Sequence, residues 1–114
     1  MKQMLILRKD LNMRKGKMVA QGAHASMKAT LENIDHPYVV EWLKGPFTKI
    51  VVGVPDEESL FEIYTLALRS NIPCSLILDA GRTEFGGVPT YTAVGIGPAP
   101  DAYLIPITGH LKLL

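Results

Sequence analysis

The stretch PCSLILDAGRTEFGGVPTYTAVGIGP, residues 73–98, decides the fold. Two apolar runs, PCSLILD (73–79) and TYTAVGIGP (90–98), read as strands. No helical pattern lies between them, so they are expected to pair antiparallel. The linker is longer than the roughly two to five residues of a tight hairpin. From Leu78 to Pro98 the chain carries Asp79, Arg82, four Thr or Tyr hydroxyls and five glycines. Such a segment either lacks order or builds something.

Working outward, strands and helices alternate. QMLILR (3–8) is a continuous apolar run, the pattern of a strand covered on both faces. KDLNMRKGK follows as a basic loop. A helix is predicted from Lys17 to about Asn33, rich in Ala and Met, with small residues that let it lie close on a sheet. HPYVVEWLKG reads as a short second helix that starts near Pro37 and ends at Gly45-Pro46. TKIVVGV (48–54) is the next strand. PDEESLFEIYTLALRSN is the clearest helix. Asp56 can cap it, Glu57 and Glu58 suit its positive end, and Leu60, Ile63, Tyr64, Ala67 and Leu68 form one apolar stripe. Asn71 is a left-handed stop. A short helix after Pro100, limited by Pro106, precedes ITGHLKLL. The expected architecture is α/β, a three-layer α/β/α sandwich with a small four-stranded mixed sheet, in a single domain over 1–114.

Composition bounds the function classes. The 114 residues are 47% hydrophobic and 20% charged, a globular balance. The one cysteine, Cys74, cannot form an intrachain disulfide, which fits a reducing compartment. No apolar stretch approaches the ~20 residues that span a bilayer, and the first residues lack a signal-peptide core. The chain is expected to be cytoplasmic, with no membrane partner. Charge is uneven. Residues 1–28 carry Lys2, Arg8, Lys9, Arg14, Lys15, Lys17 and Lys28 against Asp10, and the remainder has five basic and ten acidic groups. A basic face with a polyanionic partner explains this split. A solvated basic helix end explains it equally well.

Two polar clusters could carry chemistry. The first is RKDLNMRKGKMVAQGAH, a loop that leads from a strand into a helix, where open α/β sheets usually bind ligands. Lys15 and Lys17 oppose the positive end of the helix dipole there, so a bound anion would account for them. Lys17, Gln21 and His24 share a helix face. They line a substrate or form a solvent-facing stripe. The second cluster is DAGRT (79–83). Asp79 ends a strand, Gly81 permits a positive φ, Arg82 can hold a phosphate or pin Asp79, and Thr83 and Thr92 can donate and accept hydrogen bonds. A plain Asp–Arg turn is the structural alternative. The three histidines have no metal-ligand spacing, and no Ser/His/Asp or Cys/His set is recognisable. Neither a Walker loop nor a GxGxxG follows the first strand.

RKDLNMRKGKMVAQGAHAS, DAGRTEF, TAVGIGPAP and ITGHLKLL, in this order and at these distances, resemble the second type of peptidyl-tRNA hydrolase, found mainly in archaea and eukaryotes. DAGRT and GHLKLL are the most diagnostic segments. The resemblance spans Gln3 to Leu114. It implies a four-stranded mixed sheet with helices on both faces, often dimeric, and hydrolysis of the ester between a peptide and the terminal ribose of tRNA, with no cofactor or metal. The catalytic positions implied are Lys15 or Lys17, Asp79, Thr83 and Thr92. Gln21 and His24 match the family's AQxxH segment as substrate-binding residues. Arg8 and Arg14 in the basic first segment, and Arg82, would meet tRNA phosphates. Three features depart from the family pattern. Asn12 replaces the lysine of DLKM, Gly53 stands where a lysine is common, and Glu84 to Tyr91 is about one residue longer. The competing classes are a non-catalytic tRNA- or protein-binding module on the same fold and a structural homodimer packed through the apolar tail LKLL.

Overall fold

The computed structural model describes residues 1–114. The elements are β1 (Lys2–Arg8), α1 (Lys15–Leu31), α2 (Pro37–Lys44), β2 (Lys49–Val54), α3 (Glu57–Arg69), β3 (Cys74–Asp79), β4 (Thr90–Ala99), α4 (Asp101–Thr108) and β5 (Lys112–Leu113). They build one five-stranded mixed sheet in the order β3-β4-β1-β2-β5. β1 pairs parallel with β2, whereas β4 runs antiparallel to both β1 and β3. The absence of a helix between β3 and β4 therefore sets their pairing, as expected.

Alternation along β1 shows how both sheet faces are used. Met4 and Ile6 join the cluster that contains Leu60, Ile63 and Ala67 of α3 and Leu104 and Ile107 of α4. Leu5 and Leu7 point the other way and join Ala25 of α1. A period of two divides one continuous apolar strand between two cores. Close approach of α1 needs small residues on both sides. A Cβ on Gly95 of β4 would lie 2.4 Å from the Ala25 carbonyl oxygen, so only glycine fits there. Gln3, fully buried, ties the far end of α1 to the sheet. Its amide donates to Thr30 Oγ1 and to the Gly97 carbonyl, each at 3.2 Å, and its Oε1 accepts from the Ser26 hydroxyl.

Four expectations need correction. The sheet has a fifth strand, because Lys112 and Leu113 pair antiparallel with Gly53 and Val52. Two residues are too few for a period to register in the sequence. α1 begins at Lys15 rather than Lys17. Pro106 lies inside α4 instead of limiting it. The helix continues past it, with the Gly109 N–H bonded to the Ile105 carbonyl at 2.9 Å, and the proline forgoes the bond to the Ala102 carbonyl. Leu68 is half exposed and leaves the apolar stripe of α3, although Leu60, Ile63 and Ala67 are buried in it. Asp56 does cap α3, accepting from the Ser59 N–H at 2.8 Å, and Asn71 has φ +56° beyond its end.

Candidate active site

β1, β2 and β3 are mutually parallel, so their carboxyl ends share one sheet edge, where α1 also begins. Asp79 is the last residue of β3 and pairs with Thr90, and Thr92 lies two residues further along β4, where the β3–β4 register shifts. Lys17 projects from the first turn of α1. Its Nζ donates to Asp79 Oδ1 at 2.9 Å and to Thr83 Oγ1 at 2.8 Å. It also stands 5.3 Å from the centroid of the Phe85 ring. The Asp79 side chain is 14% exposed and that of Lys17 11%. The pair is thus shielded yet reachable.

Gln21 is buried beneath this pair. Its Nε2 donates to Asp79 Oδ1 at 3.2 Å, and its Oε1 accepts from the Thr92 hydroxyl. The direction of each bond matters. Thr92 is fully buried, and its one hydroxyl proton is committed to Gln21. Thr83 accepts from Lys17, so its own proton remains free to donate. Asp79 Oδ1 is filled by Lys17 and Gln21, while Oδ2 accepts only the Gly81 N–H at 2.9 Å. Oδ2 therefore keeps accepting capacity. Burial pushes the Asp79 carboxyl up. The hydrogen bond from Lys17, the Gly81 N–H, the Lys17 charge and the Gln21 amide outweigh it and hold the carboxyl below its ordinary value.

The long linker is built rather than loose. Gly81 has φ +78°, and a Cβ there would fall 2.2 Å from the Val88 carbonyl oxygen. The Gly81 carbonyl accepts from the Gly87 N–H at 2.8 Å, which closes the loop on itself. Thr83 and Phe85 are thereby presented to Lys17. Glu84 accepts from the Arg14 N–H at 3.4 Å, placing a carboxylate at the unfilled start of α1.

Of the ten residues singled out from the sequence, Lys17, Gln21, Asp79, Thr83 and Thr92 meet in one hydrogen-bonded cluster. His24 is exposed on the β3 side of α1 and bonds to none of them. Lys15 is exposed on the other side of the helix, and Arg14 and Arg82 are exposed. Arg82 does not pin Asp79, because Lys17 and the Gly81 N–H occupy that role. Arg8 is turned inward. Its guanidinium grips Asp10 with two bonds, at 3.0 and 2.8 Å, and donates to the Tyr91 carbonyl at 2.9 Å. Phe85 and the Gly81 N–H were not foreseen. Their signal was the reach of DAGRTEF beyond its charged residues. Gly53 carries the Lys9 side chain over it, with Cδ 2.8 Å from where a Cβ would stand.

A lysine–carboxylate–threonine cluster thus sits at the end of a mixed sheet, beside a basic helix start. The peptidyl-tRNA hydrolase PTH2 family model matches residues 1–114. The chain belongs to the PTH2 family. It is 48% identical to the peptidyl-tRNA hydrolase of Methanocaldococcus jannaschii over all of both chains. It is 46% identical to that of Halobacterium salinarum, over 99% of each chain. With that of Thermococcus onnurineus it shares 42% identity over 99% of this chain and 97% of the relative. No helix of this PTH2 protein is long and apolar enough to cross a membrane. Cys74 is not part of the cluster. Burial pushes its thiol up to about 11, so it stays protonated at neutral pH.

Proposed function

We propose that the chain hydrolyses the ester of peptidyl-tRNA and releases peptide and tRNA, with the reaction centred on Asp79, Lys17 and Thr83. The single observation that carries this reading is the unfilled capacity of that cluster: one lysine N–H, the Thr83 proton and Asp79 Oδ2 all remain available. An ester needs less activation than an amide, so an oriented water suffices. Asp79 Oδ2 accepts a hydrogen bond from that water and directs its oxygen at the ester carbon. The lowered proton affinity of Asp79 makes it an orienting acceptor rather than a strong base. As the new C–O bond forms, negative charge develops on the carbonyl oxygen, and the free Lys17 N–H stabilises it. The ester C–O bond then breaks. The ribose oxygen leaves with one of the water's two protons, which Thr83 is placed to relay, and the peptide leaves as a carboxylate with the other proton lost to solvent.

Gln21 and Thr92 act through Asp79 and do not touch substrate in this reading; they are positioning residues. Arg14 and Arg82 are exposed at the rim, where they meet phosphates with salt-dependent and largely sequence-independent affinity. His24 belongs to that rim. Arg8 is occupied within the protein and leaves the tRNA-binding set. The reaction uses no metal, and the enzyme works in the cytoplasm as a homodimer, whose mass light scattering measures.

The test is release of N-acetyl-aminoacyl groups from tRNA, with and without chelator, by the wild type and Asp79→Asn. The wild type is expected to release in chelator. The variant is expected to lose roughly 10²–10⁴-fold in rate while binding tRNA as well or better, because a negative charge is gone. Binding without release by the wild type would instead establish the non-catalytic module.

A further inference from the structure

The side of α1 turned away from Asp79 borders a groove of about 650 Å³ that no part of the chain fills. Leu5, Leu7 and Val51 form its floor, and Met18, Val19 and Met27 form its helical wall. Val19 is 72% exposed and Met27 62%. Apolar side chains grouped around an open groove mark a binding surface. The charged side chains of the lining are Lys15 at one end and Lys49 at the other, with no acidic side chain among the rest. A second copy related by a two-fold axis would bring lysine toward lysine, which argues against self-docking here.

The groove and the catalytic cluster start on the same helical turn. Lys15 lines the groove, Lys17 holds Asp79, and Gly16 stands between them. A Cβ on Gly16 would meet nothing within 4 Å, so packing within the chain does not require a glycine there. Glycine disfavours a helix, so this position is disadvantageous unless something else lies against the backbone. Its missing side chain keeps the helix surface low between Lys15 and Lys17.

We infer that the groove receives the peptidyl part of the substrate, whose chain leaves the ester at Asp79, crosses α1 at Gly16 and runs along the helix toward Met27. This rests on the hydrolase reading above. An extended peptide offers main-chain carbonyls to Lys15 and Lys49 and apolar side chains to the groove floor. The lengths agree. Crossing a helix about 10 Å wide takes about three extended residues. Lys15 and Met27 are twelve positions apart in α1, about 18 Å, which holds about five more. Peptide length therefore matters up to about eight residues, and apolar residues are favoured from about the fourth onward.

The experiment compares kcat/KM for N-acetyl-aminoacyl-tRNA with peptidyl-tRNAs of four, eight and twelve residues that carry leucines beyond the third position. In the wild type kcat/KM is expected to rise to about eight residues and then level. Val19→Glu and Met27→Glu keep a helix-favouring residue at exposed positions. Each is expected to cut the ratio of long to short substrate roughly tenfold, the equivalent of one lost apolar contact. Gly16→Val is expected to lower the same ratio by raising the helix surface there. A wild type indifferent to length, or a ratio that survives in both glutamate variants, would overturn the inference. Glutamate variants that become lighter in light scattering with the ratio intact would give the groove to a second copy and overturn it too. Failure of the wild type on every substrate would mean that the hydrolase reading itself had failed, and this inference with it.

Discussion

Two ion pairs stand at the same edge of the sheet, and their cations are equally shielded. Arg8 with Asp10 and Lys17 with Asp79 each bury the basic side chain to 11% exposure. The pairs differ in what is left over. Arg8 meets Asp10 through two bonds and fills a third with the Tyr91 carbonyl, and Glu57 lies 3.8 Å away. The hydrogen bonds from Arg8 hold Asp10 below its ordinary value, as the first pair's geometry requires. The Tyr91 bond fastens the end of β1 to β4, and a bidentate pair of this kind has little more to offer. Lys17 and Asp79 meet through a single oxygen, which leaves one lysine N–H free and the other carboxylate oxygen bonded only to the Gly81 N–H. A saturated pair stabilises structure, whereas an incompletely satisfied one can receive substrate. Shielding alone does not distinguish them.

The largest effect that tests this contrast comes from exchanging each cation for methionine. Lys17→Met is expected to lower kcat by roughly 10²–10³ with a small change in melting temperature. Arg8→Met is expected to cost about 1–3 kcal/mol of stability, through the charged hydrogen bonds lost, and to remain active below its melting temperature. Single-turnover release and thermal melts measure both. A stable but inactive Arg8→Met protein would break the contrast.

Next in size is Thr92→Val, which leaves the Gln21 oxygen buried without its donor. kcat is expected to fall roughly tenfold to hundredfold with KM little changed. Thr92→Ser, which restores the hydroxyl, should recover most of the rate. A rise in KM alone would place Thr92 against substrate instead.

A smaller effect is read by titration. The folded Asp79 carboxyl is lowered, so the stability that it contributes is complete above its unfolded value. That contribution is lost as pH falls through the folded value. Lys17→Met removes the main group that opposes burial, so the Asp79 midpoint should move up when followed by carboxyl-carbon NMR. An unmoved midpoint would mean that Gly81 and Gln21 set it without Lys17. The smallest effect belongs to His24→Ala. Exposed and bonded to nothing in the cluster, His24 should change kcat by less than about threefold. A larger loss would add it to the reacting groups.

Much of this was legible in the sequence wherever a local rule governs. α3 could be read because its cap, its acidic first turn, its apolar stripe and Asn71 are all chemistry of neighbouring residues. That Asp79 and Thr83 lie close together could be read for the same reason, since a short segment carries both. What could not be read depends on partners distant in the chain. Helical spacing puts Gln21 and His24 on one face, yet Gln21 is buried and His24 is open. The sheet ends beneath that face: Lys28, one turn beyond His24, reaches over edge strand β3 to the Leu76 carbonyl. β5 is a strand only because β2 offers it an edge. Arg8 resembled its basic neighbours until Tyr91, from the far half of the chain, was brought to it.

Two buried glutamines bear on how this protein can change over evolutionary time. Gln3 holds α1 near Ser26 and Thr30, and Gln21, one of the helix's own residues, holds it to Thr92 and Asp79. The helix is thus pinned at two points along its length, with Gly95 seated against Ala25 between them. A helix held at one point could absorb an added or lost residue by sliding or turning. Held at two, it cannot, because one extra residue rotates everything beyond it by about 100°. Lineages should therefore vary α1 by replacing exposed residues, and confine insertions and deletions to the loops outside the two pins.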